Sequence, residues 1–153
     1  MKFFLVLFYI IICFKSFSQL TLVELKNILK MDLNQFETYA LNQGYNFEKV
    51  KEDEKIFGHN YTKGDGNLTR YLTLYVKYYE YNRHITYQTS DTEEYLSFKK
   101  EIETEGYQLT KTENFEGTSV KFYSNSTYDL EIYVGKGEIA DNVYEINFRR
   151  KRE

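Results

Sequence analysis

Apolar residues recur along this chain in two rhythms. Leu22, Leu25, Ile28 and Leu29 fall at helical spacing, and Thr21 with Glu24 three residues on has the form of a capping box. Asp32 followed by Gln35 opens a second helix with the stripe Leu33, Phe36, Tyr39 and Ala40. Gly44 then stands just past its end, where positive φ meets no Cβ clash. A third stripe, Tyr95, Leu96, Phe98 and Ile102, starts at Ser90 or Asp91, carries Glu93 and Glu94 in its first turn and stops at Gly106. After each of these two glycines the period drops to two. The alternation predicts strands near 45–51, 55–62, 69–79 and 83–89, then near 107–113, 118–124, 127–135 and 142–150. Turn signals separate them at 63–67, 116–117, 124–126 and 135–137.

The phrase Gly44-Tyr45-Asn46-Phe47-Glu48-Lys49 returns 62 residues later as Gly106-Tyr107-Gln108-Leu109-Thr110-Lys111, and Phe36 returns as Phe98. Leu72-Thr73-Leu74-Tyr75-Val76 matches Leu130-Glu131-Ile132-Tyr133-Val134, and Ile85-Thr86-Tyr87 matches Ile146-Asn147-Phe148. Agreement of successive strands in order predicts two tandem helix-plus-sheet units, residues 19–89 and 90–153. Connections this short make neighbouring strands antiparallel. The expected fold is α+β: one continuous antiparallel sheet of about eight strands, with the helices on one face to bury their stripes.

Leu72, Leu74 and Val76 then share the core layer with Leu130, Ile132, Val134, Tyr45, Phe47, Tyr107 and Leu109. The other layer is expected to carry Tyr71, Thr73, Tyr75, Lys77 and Tyr79, with His84, Thr86 and Gln88, and Lys121, Tyr123, Glu131 and Tyr133. His59 and Tyr61 are expected beside them. Tyr71, Tyr75, Lys77, Tyr79, His84, Lys121, Tyr123 and Tyr133 are the candidate binding residues. Tyrosine gives a large contact area at low entropy cost and a hydroxyl to orient a partner. The competing explanation is that Tyr and Thr are good strand formers on any half-exposed sheet.

Composition changes this picture at the N-terminus. Lys2 precedes an apolar run from Phe3 to Phe14, followed by Ser16-Phe17-Ser18. A helix of that run would reach only about 18 Å, short of the roughly 30 Å hydrocarbon core. The pattern is that of a signal peptide, residues 1–18, rather than an uncleaved anchor. Export to the periplasm or exterior is therefore expected, with no transmembrane segment after cleavage. The remaining 19–153 form one domain without cysteine, since Cys13 is the sole one, and carry 18 basic against 23 acidic residues. A mildly acidic domain argues against nucleic-acid binding.

Catalytic signatures are missing. His59 and His84 are not spaced as a metal pair, and Asp65-Gly66-Asn67 lacks the ligand spacing and closing Glu of a calcium loop. There is no Gly-x-Ser-x-Gly, P-loop or dinucleotide fingerprint. Neither a cofactor nor a metal is expected. Asn60-Tyr61-Thr62, Asn67-Leu68-Thr69 and Asn125-Ser126-Thr127 have sequon form, as happens by chance in an Asn- and Thr-rich chain. Arg149-Arg150-Lys151-Arg152 reads as a solubilising end of the last strand.

The two tandem units, each a helical segment followed by four antiparallel strands, resemble in topology the secreted β-lactamase inhibitor protein family and, more loosely, the BamE-type envelope lipoproteins. That resemblance implies protein–protein contact as the use of the fold. It covers most of 19–153 and carries over no individual residue. The inhibitor family's disulfides have no counterpart here. The expected function is thus an exported, monomeric, non-catalytic module binding a protein or peptide. Alternatives are a small-ligand or glycan-binding envelope protein and an enzyme with an atypical site.

Overall fold

A computed structural model describes residues 20–52, 56–64, 69–77, 83–137 and 142–151, with backbone alone at Ile56 and Lys77. The signal segment 1–18, Tyr79 and the 65–67 part of the expected turn lie outside these residues.

Helix α1 (Leu22–Ile28) begins at a capping box: the Thr21 hydroxyl accepts the Glu24 N–H, and the Glu24 carboxylate accepts the Thr21 N–H. Helix α2 (Leu33–Asn42) is capped the same way by Asp32 and Gln35. Helix α3 (Thr92–Thr104) starts at Asp91, whose carboxylate accepts the N–H groups of Glu93 and Glu94. Each cap satisfies donors that the first turn leaves without a helical partner.

Gly44 at φ 79° ends α2, and its N–H and that of Tyr45 close back on Leu41 and Ala40 carbonyls. Gly106 at φ 74° ends α3, where the Tyr107 N–H closes on the Ile102 carbonyl. Each turn delivers a buried tyrosine, Tyr45 or Tyr107, to the start of a strand.

The strands are β1 (Asn46–Glu52), β2 (Ile56–Lys63), β3 (Arg70–Lys77), β4 (Arg83–Thr89), β5 (Gln108–Phe115), β6 (Thr118–Ser124), β7 (Tyr128–Gly135) and β8 (Val143–Arg150). They form a single antiparallel sheet in the order β1-β2-β3-β4-β8-β7-β6-β5, leaving β1 and β5 as edges. The central pair β4–β8 aligns Ile85 with Phe148 and Tyr87 with Ile146. Both edge strands carry a bulge, between Phe47 and Lys49 and between Leu109 and Lys111. Bulges of this kind bend the edge strand locally.

One buried cluster joins helix and strand side chains. Leu22, Leu25, Ile28, Phe36, Phe98 and Ile102 meet Tyr61, Leu72, Leu74, Ile85, Tyr87, Leu130, Ile132 and Phe148. Phe36 meets Tyr61 edge-on at 5.3 Å, and Tyr95 stacks on Tyr144 at 4.2 Å. Burying each large apolar side chain contributes about 1.5–3 kcal/mol before ordering costs. Phe47 and Leu109 share this layer's phase, pairing with Tyr61 and Tyr123, yet both stay half exposed because they sit on edge strands.

A charged cluster is built into the same layer. The Arg70 guanidinium donates to both Glu94 oxygens at 2.9 and 3.2 Å and to Asp91 at 3.3 Å. Thr89 donates a further bond to Glu94 at 2.7 Å. Glu94 is almost fully buried, so this ring of donors replaces its water shell. The cluster ties β3 to the start of α3.

Candidate functional site

The side chains alternating with the core set make the second layer of the sheet. Register places Asn60, Thr73, Thr86, Asn147 and Glu131 in one row across β2, β3, β4, β8 and β7. The row is bonded in segments. Thr73 donates to Asn60, which donates to Glu48. Thr86 donates to Asn147 at 2.6 Å, and the Asn147 amide donates to Glu145 at 3.1 Å. The Tyr133 hydroxyl donates to Glu131 at 3.0 Å, and Arg149 meets Glu131 at 3.3 Å and Asp129 at 3.8 Å. Burial foremost, followed by the Glu131 carboxylate, pushes the Tyr133 phenol up.

Next to this row, Tyr75 stacks on His84 with centroids 4.5 Å apart and planes 11° from parallel. Gly58 is the residue opposite Tyr75 on β2. A Cβ there would stand 2.7 Å from the Tyr75 ring, so glycine makes the room in which the ring lies. Tyr75 is thus flanked by Gly58 on one side and His84 on the other.

Tyr75, His84, Thr86, Asn147 and Glu145 line a concavity of about 440 Å³ together with Lys51 and Glu52 of β1. β1 and β8 are four strand steps apart, which on a flat sheet is about 19 Å. Their side chains line one depression because the sheet curls toward this layer.

Of the eight candidate residues, Tyr71, Tyr75, His84 and Tyr133 share this layer. Tyr71 pairs with Thr62 and Gln88, and Tyr133 pairs with Val120 and Glu145. Of these four, Tyr75 and His84 line the concavity. Lys77 has its backbone on β3 opposite Ile56, and its side chain and Tyr79 lie outside the described residues.

Lys121 and Tyr123 are corrected. Tyr123 pairs with Leu130 and Lys121 with Ile132, which puts both on the core layer, and Tyr123 joins the buried cluster. His59 and Tyr61 are corrected for the same reason, pairing with Leu74 and Leu72. In their place β6 presents Val120 and Phe122, with the Lys111 ammonium 5.7 Å over the Phe122 ring.

Asn60, Lys51, Glu145 and Asn147 were not anticipated from the sequence. Position next to a recognised core residue, as with Glu145 and Asn147 on either side of Ile146, is the one signal that could have found the last two.

Among the described residues no group of three or more His, Cys, Asp or Glu side chains could hold a metal ion. Among them, too, no helix is long and apolar enough to cross a membrane. No family model matches the chain, and no significant match is found among curated proteins or solved structures.

Proposed function

We propose that this chain is an exported, non-catalytic binding module that engages a protein or peptide through the second layer of its sheet. The observation that carries the reading is the curled polar-aromatic surface around Tyr75 and His84, where described residues from four strands line one concavity. Aromatic edges and amide groups set side by side provide both contact area and hydrogen-bond selection.

The symmetry of the sheet supports this reading. The strand order is symmetric about β4–β8, and the two bulges and two positive-φ glycines recur at matching places. On this reading the helices cover the core layer alone and leave the second layer to a partner. A peptide fits better than a sugar because both flanks of the Tyr75 ring are occupied, by Gly58 and His84. The ring offers its edge and hydroxyl, whereas sugar binding uses an open aromatic face.

The test is affinity capture from the native envelope using the mature chain and a Tyr71→Ala, Tyr75→Ala, Tyr133→Ala triple variant. A specific partner retained by the first and lost by the second supports the reading. Equal capture by both sinks it.

A further inference from the structure

We infer that the β5 edge is a self-complementary surface through which two copies of this chain pair. β5 ends the sheet, hydrogen-bonded to β6 alone, and all eight of its residues are exposed. Its Phe115 is 69 % and its Leu109 54 % exposed. A strand edge of this length with large apolar side chains is a template for another strand.

The pattern of charge selects the occupant. The bulge at Thr110 bends the strand before Lys111 and leaves Lys111–Phe115 in regular register with β6. Lys111 and Glu113 lie on the same side, where they form an ion pair within the strand. A two-fold axis perpendicular to the sheet sets β5 antiparallel to its own copy and preserves the faces. Residues that meet across that axis must therefore share a face. Centred on Thr112, the pairing brings Lys111 opposite Glu113 of the second copy and Glu113 opposite Lys111, giving an alternating square of four charges. Shifting the centre to Lys111 or Glu113 sets like charge against like. One register is thus singled out.

The other edge cannot pair this way. In the regular stretch of β1, Lys49 and Lys51 share a face, opposite Asn60 and Gly58 of β2. Centred on Val50, Lys49 meets Lys51, and centred on Lys49 or Lys51, lysine meets itself. The like charges close that edge to its own copy, so assembly through β5 stops at two chains.

Sedimentation equilibrium of the mature chain over the micromolar to millimolar range tests the inference. A monomer–dimer equilibrium is expected. Lys111→Glu alone, or Glu113→Lys alone, should weaken it about tenfold by creating two like-charge pairs. An equimolar mixture of these two variants should pair as tightly as the original chain, and so should the Lys111→Glu, Glu113→Lys double variant. Both sites are exposed, so circular dichroism should show all variants folded. A chain that stays monomeric throughout overturns the inference. So does a dimer indifferent to the single reversals, or a mixture that fails to regain affinity.

Discussion

Tyr75 lies flat against His84, and the space for it is the missing side chain of Gly58. A Gly58→Ala substitution puts a methyl 2.7 Å from the Tyr75 ring and 3.1 Å from the Leu74 carbonyl oxygen. The strand gains intrinsic propensity, but overpacking outweighs it, and about 1–3 kcal/mol of stability should be lost by urea denaturation. Much of that loss should vanish when Tyr75→Ala is added, because the ring that clashes is gone. A cost unchanged in the double variant would locate the strain at the backbone of β3 instead.

Arg70 and Glu94 should behave as one unit. Removing the guanidinium by Arg70→Met leaves a buried carboxylate without its cationic partner, and the expected loss is about 3–5 kcal/mol. Replacing both partners, with Arg70→Met and Glu94→Leu together, should cost well under the sum of the two single changes. A double-variant cycle read by chemical denaturation measures this coupling, and additivity would show that the pair contributes nothing as a pair.

Alkali should unfold the chain through its tyrosines. Burial above all, with the Glu105 carboxylate adding, pushes the Tyr107 phenol up to about 12. Burial likewise raises Tyr39, Tyr45 and Tyr87. These groups ionise more readily unfolded, with an ordinary value of 10.0, than folded. Their contribution is intact below pH 10 and declines as pH rises through 12 and beyond. Tyrosinate absorbance should therefore rise together with loss of circular dichroism. Full ionisation with the fold retained would contradict the burial of these rings.

The glycines at the two helix ends should be equally intolerant. Gly44→Ala and Gly106→Ala each force a Cβ into positive φ, at φ 79° and 74°, with no close contact to blame. Each should cost about 1–2 kcal/mol in thermal or denaturant unfolding. A near-zero cost at one of them would show that the two turns do not do the same job.

Local signals carried most of the fold. Thr21 with Glu24, Asp32 with Gln35, and the two glycines announce helix ends because the atoms that satisfy each other are three to five residues apart. Strand phase was harder. In Val120-Lys121-Phe122-Tyr123 both alternations contain a large apolar group, so the chain itself does not say which side is core. The pairing of Tyr123 with Leu130 decides it, and that is a property of the register with β7. The row from Asn60 to Glu131 was invisible for the same reason, since its members come from five strands and meet only once the sheet is assembled. Arg70 and Glu94 stand 24 residues apart and likewise meet only where the first turn of α3 comes beside the start of β3.

The central claim is that a macromolecular partner sits on the curled layer around Tyr75. Hydroxyl-radical footprinting of the mature chain, free and in complex with its captured partner, tests this most directly. The expected result is loss of labelling at Tyr71, Tyr75 and Tyr133 in the complex, with Val23 and Leu96 on the helices labelled as before. Protection of Val23 and Leu96 with the three tyrosines still fully labelled would contradict the account.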